Sequence, residues 1–241
     1  MQVPKPVSRR EFLRLSGLAA GASGIALSTL STIVRAADLP MEGKDADAVL
    51  AQLLEGNKRF MKGDLAHPRR KPEDFVPLAA GQAPLTVIVC CADSRVAPEL
   101  IFDQGVGDLF VVRVAGNVIA GSGASVKGSI EYAVAELDVR LIVVLGHSQC
   151  GAVKAAIKHI DDKDALPGSI GDLVDLIRPA VAAVKGIPGN MLDNAIKSNV
   201  ERGVERLKRL EPILAGSVRK GTLKVVGAVY DLYNGKVTTF G

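Results

Sequence analysis

The sequence predicts an α/β fold: a mostly parallel central sheet of about four strands, flanked by helices, with an added C-terminal hairpin strand. Three observations predict it. Leu85–Cys90 and Leu141–Leu145 are continuous apolar runs rich in β-branched residues, the pattern of strands buried on both faces. Segments with helical spacing of apolar residues alternate with these runs. Asn234-Gly235 stands between two extended runs near the C-terminus, a strong hairpin signal.

The chain has 241 residues and is 48% hydrophobic, enough for one domain with a large core. Residues 1–36 are set apart as a signal peptide. Ser8-Arg9-Arg10-Glu11-Phe12-Leu13 is a twin-arginine signature, a weakly apolar stretch runs from Leu15 to Val34, and Val34-Arg35-Ala36 offers a small-residue cleavage site. Cleavage is expected after Ala36, leaving one domain over 37–241; the competing reading is an uncleaved anchor, because the stretch approaches the length of a membrane span. The signal directs the chain to the twin-arginine export machinery and to a periplasmic or otherwise exported location. Without residues 1–36 the chain carries 25 basic and 25 acidic residues, so the net charge of +4 belongs mostly to the signal. Neutrality, 4% aromatic content and the lack of Trp exclude a nucleic-acid-binding reading.

In the remainder, Leu50, Leu53, Leu54 and Phe60 give Asp47–Phe60 an amphipathic helical pattern. His67-Pro68-Arg69-Arg70-Lys71-Pro72 reads as a loop whose basic run is a solvated surface or a shield over a partner chain, and not a binding patch. Leu109–Val114 is a second short strand, Gly116–Gly128 is rich in small residues, and Ile130–Leu137 reads as helix. A third strand ends at Gly146, and a helix starts at Gly151. Another helix falls within Pro167–Gly189, and Ile196, Val200, Val204, Leu207 and Leu210 mark one more. The chain closes with Leu223–Tyr233 and Lys236–Phe240. Gly105-Val106-Gly107 and Gly121-Ser122-Gly123 read as loops, since neither opens a helix after a strand in the six-residue dinucleotide-binding pattern.

Two clusters lie where open α/β sheets place their sites, at strand C-termini: Cys91-Ala92-Asp93-Ser94-Arg95 and His147-Ser148-Gln149-Cys150. Cys91, His147 and Cys150 supply three zinc ligands, and three protein ligands leave a tetrahedral ion one open position, the catalytic arrangement. The chain has three cysteines and three histidines, so four soft ligands are hard to assemble. In an oxidising compartment the competing use of the cysteines is a disulfide. Adjacent residues of a strand point to opposite faces, so at most one of Cys90 and Cys91 faces Cys150, and Cys90 reads as core. His159 falls on the helix after Cys150, where a partly exposed histidine is the default, and His67 lies in the basic loop.

These pieces resemble the β-class carbonic anhydrases over essentially the whole chain after the signal. The motifs are Cys91-Ala92-Asp93-Ser94-Arg95-Val96, Phe110-Val111-Val112-Arg113-Val114-Ala115-Gly116-Asn117, Ile130-Glu131-Tyr132-Ala133-Val134 and Gly146-His147-Ser148-Gln149-Cys150-Gly151. The resemblance implies one zinc ion per subunit on Cys91, His147 and Cys150. It implies reversible hydration of CO2 to bicarbonate and a proton by zinc-bound hydroxide, assisted by an Asp93–Arg95 dyad in an open site. Gln82, Phe110, Tyr132 and Gly151 match positions at the substrate: Gln82 as a hydrogen-bonding residue, Phe110 and Tyr132 as apolar pocket residues, with Tyr132 often supplied across a dimer interface. A homodimer is implied as the minimum unit, with a dimer of dimers as the larger form. Two thiolates make the ion a weaker Lewis acid than three histidines do, so activity is expected to fall on acidification. A related zinc hydrolase of COS or CS2 and a non-catalytic zinc-binding protein stand as alternatives.

Overall fold

In the computed structural model, which describes residues 45–119, 121, 123–159 and 166–240, the apolar runs assemble into one five-stranded sheet. Thr86–Cys90 (β1), Leu109–Arg113 (β2), Leu141–His147 (β3) and Lys224–Tyr230 (β4) run parallel, and Val237–Phe240 (β5) returns antiparallel to β4. The order is β2-β1-β3-β4-β5, which puts β1 and β3 in the interior of the sheet. Both are buried along their full length, and this is why they read as unbroken apolar runs. The predicted signal, residues 1–36, lies outside the described residues. Among the described residues no helix is long and apolar enough to cross a membrane.

The helices are Ala46–Lys62 (α1), Pro72–Phe75 (α2), Pro98–Ile101 (α3), Gly123–Ala135 (α4), Gly151–Lys158 (α5), Ile170–Ala182 (α6), Met191–Lys208 (α7) and Leu214–Arg219 (α8). Their ends follow local chemistry. Asp45 caps α1 by accepting from the Asp47 amide, and Gly63 ends it in the left-handed conformation with φ 72°. Asn190 caps α7 by accepting from the amides of Leu192 and Asp193.

Strand alternation sorts the core into two layers. Val87 and Val89 of β1 join Ile142 and Val144 of β3 beneath α4 and α7, against Ile130, Val200, Val204 and Leu207. Ile88 and Cys90 join Val143 and Leu145 on the other face, beneath α1 and α3, against Val49, Leu53, Ile101 and Phe102. Each fully buried Val, Leu or Ile contributes about 1.5–3 kcal/mol, so these layers dominate the stability. Gly146 lets α7 approach β3, since a Cβ there would lie 2.6 Å from Val200 Cγ2.

Three details go beyond or differ from the sequence reading. α4 starts at Gly123, well before Ile130, because the small residues up to Gly128 already belong to the helix beside β2. α8 was not expected; its six residues are too few for a helical period to stand out. The hairpin forms through Asp231–Lys236, a longer loop than an Asn-Gly turn, because Tyr233 and Asn234 fold around the Asp231 carboxylate.

Candidate metal centre and active site

Cys91 follows the last residue of β1, on the side opposite Cys90. Cys90 packs fully buried among Ile88, Leu145 and Phe102, while Cys91 and Cys150 belong to a third cluster with Val118, Val153 and Ile177 of α5, α6 and their neighbours. His147 closes β3, and Cys150 immediately precedes α5. Between them Gln149 takes a positive φ of 59°, which turns the chain sharply enough for the His147 and Cys150 side chains to face one point. The Cys91 and Cys150 sulfurs and a His147 ring nitrogen all lie within 4.8 Å of one another, and all three residues are buried. All three cysteines are free thiols, so the disulfide alternative is not the one formed here.

The donor chemistry fits zinc. His147 Nδ1 lies 2.9 Å from the Ser148 carbonyl oxygen, which can only accept, so Nδ1 carries the proton and Nε2 the lone pair. That Nε2 is buried without a hydrogen-bond partner, a costly state that a metal ion relieves. Cys91 is held down to about 4 by the Cys150 thiol beside it, by His147 and by the Gly116 amide, which donates to its sulfur at 3.2 Å. Cys150 is pushed upward, by the neighbouring Cys91 sulfur and by burial. A thiolate, a second thiol whose proton a bound cation would displace, and the imidazole Nε2 form a soft N/S donor set.

Gly116 reaches Cys91 because it has no side chain. Its φ is 69°, and a Cβ there would sit 2.7 Å from Ile177 Cδ1 and 3.2 Å from Ala152 Cβ. Asn199 of α7 fixes this turn from behind by donating to the Gly116 carbonyl at 2.7 Å.

Asp93 and Arg95 form a two-pronged pair beside the cradle. Arg95 Nε donates to Oδ1 at 2.9 Å and Nη2 to Oδ2 at 2.7 Å, and the Arg95 amide adds a bond to Oδ1 at 3.0 Å. These bonds hold the Asp93 carboxyl well below the usual carboxylate range. Asp93 Oδ2 stands 3.8 Å from His147 Nε2, so the carboxylate borders the ligand cluster without entering it. Arg113, at the end of β2, was not singled out from sequence. It pairs in register with Cys90, and its guanidinium donates to the carbonyls of Cys91 and Asp93 at 3.2 and 2.7 Å, bracing the loop that carries both.

The remaining sequence candidates are more scattered. Phe110 on β2 and Tyr132 on α4 are brought together, with ring centroids 6.3 Å apart. Phe110 lines a surface groove together with Val111, Val112, Arg113, Ser125, Val126 and Ser129. Gly151 opens α5 with open space around its α-carbon. Gln82 is exposed on the segment before β1, with no hydrogen bond to the cluster among the described residues.

Comparison with known proteins bears on the whole arrangement. The family described as carbonic anhydrase matches residues 86–237. Carbonic anhydrase 2 of Mycobacterium tuberculosis is 44% identical over 184 residues, covering 76% of this chain and 87% of the relative. The carbonic anhydrase of Pseudomonas aeruginosa is 37% identical over 194 residues, covering 78% and 86%. Among solved structures, the β-carbonic anhydrase CcaA aligns with a TM-score of 0.63 at 29% identity, covering 80% of this chain and 95% of that one. A tetrameric β-carbonic anhydrase of Sordaria macrospora aligns with a TM-score of 0.64 at 27% identity, covering 80% and 96%.

Proposed function

The chain belongs to the β-carbonic anhydrase family and is a carbonic anhydrase, and from that premise we propose that it hydrates CO2 reversibly at a zinc ion held by Cys91, His147 and Cys150. The observation that carries the metal assignment is the buried, unpartnered His147 Nε2 facing two cysteine sulfurs. Zinc in such a site supplies a Lewis acid that lets water give up its proton near neutral pH.

The protein's own groups do the rest. Asp93 is ionised and accepts hydrogen bonds only, so its Oδ2 can orient a water beside the cradle by accepting one of its protons. Its depressed basicity makes it an orienting group and not the proton acceptor. Arg95 keeps the carboxylate planar to that task and prevents it from turning onto the ligand cluster. A carbon–oxygen bond forms between water and CO2, the surplus proton leaves to buffer, and bicarbonate departs. Gln82, Phe110, Tyr132 and Gly151 are assigned to the substrate side of this site by resemblance.

The working unit is a homodimer, with a dimer of dimers as the larger assembly. Two features support the face around β2. It is an edge strand of the sheet, and the Phe110–Tyr132 pair beside it leaves Tyr132 48% exposed. Sedimentation of the protein with Tyr132→Asp and Phe110→Asp should show monomers; an unchanged dimer would place the interface elsewhere. Residues 1–36 serve as a cleaved twin-arginine signal for export to the periplasm, and N-terminal sequencing of exported protein tests it, an intact Arg9-Arg10 counting against it.

Hydration of CO2 by zinc-loaded protein, followed by pH-indicator stopped flow, tests the reaction. Rapid hydration that disappears on metal removal is expected. Fully bound zinc without hydration would contradict the assignment and direct attention to COS and CS2.

A further inference from the structure

The loop that carries two of the three ligands is pinned from outside the cradle through one side chain, Ser148. β3 and β4 pair up to His147 and Tyr230. The ladder then gains one more bond, from the Ser148 amide to the Tyr230 carbonyl at 2.9 Å. Beyond Tyr230, β4 swerves into the Asp231–Lys236 loop. At that gap the Ser148 hydroxyl takes the place of a ladder carbonyl and accepts from the Leu232 amide at 2.9 Å. Its own proton points to Asp231 Oδ1 at 3.4 Å, a long bond. The Asp231 carboxylate is anchored in turn by the Tyr233 amide at 2.8 Å and Asn234 Nδ2 at 2.7 Å.

The carbonyl of the same residue, Ser148, receives the His147 Nδ1 proton at 2.9 Å. One residue thus joins the imidazole to the β4–β5 hairpin: amide and hydroxyl on the hairpin, carbonyl on the ring. A residue in this place fixes which ring nitrogen carries the lone pair and where that lone pair points. It also braces the strained turn at Gln149 that delivers Cys150. An alanine would keep the backbone bonds but leave the Leu232 amide without its acceptor and free the loop to rotate.

We propose that Ser148, through its hydroxyl's bond to the Leu232 amide, is a positioning residue that orients His147 and Cys150 for the metal, with Asp231 as its outer support. This rests on the metal assignment to Cys91, His147 and Cys150.

The test is zinc affinity by competition with a chelator of known strength, together with the visible spectrum of the cobalt(II)-substituted protein. The full chain is compared with Ser148→Ala, Ser148→Thr and Asp231→Ala, each checked for folding by circular dichroism. Ser148→Ala should bind zinc about 10-fold or more weakly and alter the cobalt ligand-field bands. Ser148→Thr, which keeps the hydroxyl, should restore both. Asp231→Ala should weaken binding in the same direction by a smaller factor, which serves as the reading should Ser148→Ala not fold. Affinity and spectrum unchanged in Ser148→Ala and Asp231→Ala would overturn the proposal, as would a Ser148→Thr variant as weak as alanine. A parent protein that binds no zinc would instead refute the metal assignment itself.

Discussion

Arg95 grips Asp93 by two parallel hydrogen bonds, Nε to Oδ1 at 2.9 Å and Nη2 to Oδ2 at 2.7 Å, while the same Oδ2 stands 3.8 Å from His147 Nε2. The arginine is itself exposed, so the pair gives little to stability and much to geometry. Its consequence is a carboxylate that is charged near neutral pH and held in one orientation.

That consequence separates two pH effects. With its pKa held below the usual carboxylate range, Asp93 stays ionised throughout pH 5–9. Asp93→Asn should therefore lower kcat/KM by a similar factor, about 10²-fold, at every pH in that window. A variant whose loss grows or vanishes across pH 6–8 would show that Asp93 titrates during turnover.

Removing the partner acts through the same carboxylate. In Arg95→Ala the Asp93 pKa should rise toward its ordinary value of about 3.9. A depressed folded-state pKa gives stability that is present above the unfolded value and lost as pH falls through the folded one. The stability gap between parent and Arg95→Ala should thus be small and constant near neutrality, and begin to narrow as pH falls below about 4 toward the folded value. Urea midpoints across pH 3–7 measure it.

Gly116→Ala should destabilise by about 2–4 kcal/mol, combining a left-handed backbone with a Cβ pressed against Ile177. It should also loosen the amide that donates to the Cys91 sulfur. Thermal unfolding with and without zinc distinguishes the two effects, and a melt matching the parent would refute both.

Asn57, 3% exposed on α1, ties three elements together. It donates to the carbonyls of Ile101 and Gly235 at 3.1 and 2.8 Å and accepts from the Val237 amide at 2.9 Å. Asn57→Ala leaves these groups unpaired and should cost about 2–4 kcal/mol, with the activity of folded protein at 25 °C retained. Denaturant unfolding beside a rate assay checks both halves.

The thiols should respond in opposite ways. Burial pushes Cys90 up to about 12, whereas Cys91 is held down to about 4. Iodoacetamide at pH 6 should label Cys91 in metal-stripped protein, zinc should protect it, and Cys90 should stay unmodified in both states. Peptide mapping of the alkylated protein reads this directly.

Much of the frame was legible in the sequence. β1 and β3 are buried on both faces, and a fully buried strand leaves an unbroken apolar run. Alternation along β1 assigned Cys90 to the core and Cys91 to the cradle, and the packing follows that division. What was not legible depends on contacts distant in sequence. Arg113, Gly116 and Asn199 support the Cys91 loop across separations of 20 to 83 residues. The Ser148 hydroxyl finds the Leu232 amide 84 residues away. No local pattern encodes such partners. The start of α4 was obscured because glycine and serine favour loops, and here the position beside β2 overrides that preference.

The most direct test is stopped-flow CO2 hydration by the zinc-loaded chain from Ala37, beside Asp93→Asn at equal zinc content and a metal-stripped sample. Fast hydration by the parent, cut about 10²-fold in Asp93→Asn and abolished on stripping, is the predicted result. Equal rates for parent and Asp93→Asn, or hydration that survives complete loss of metal, would contradict it.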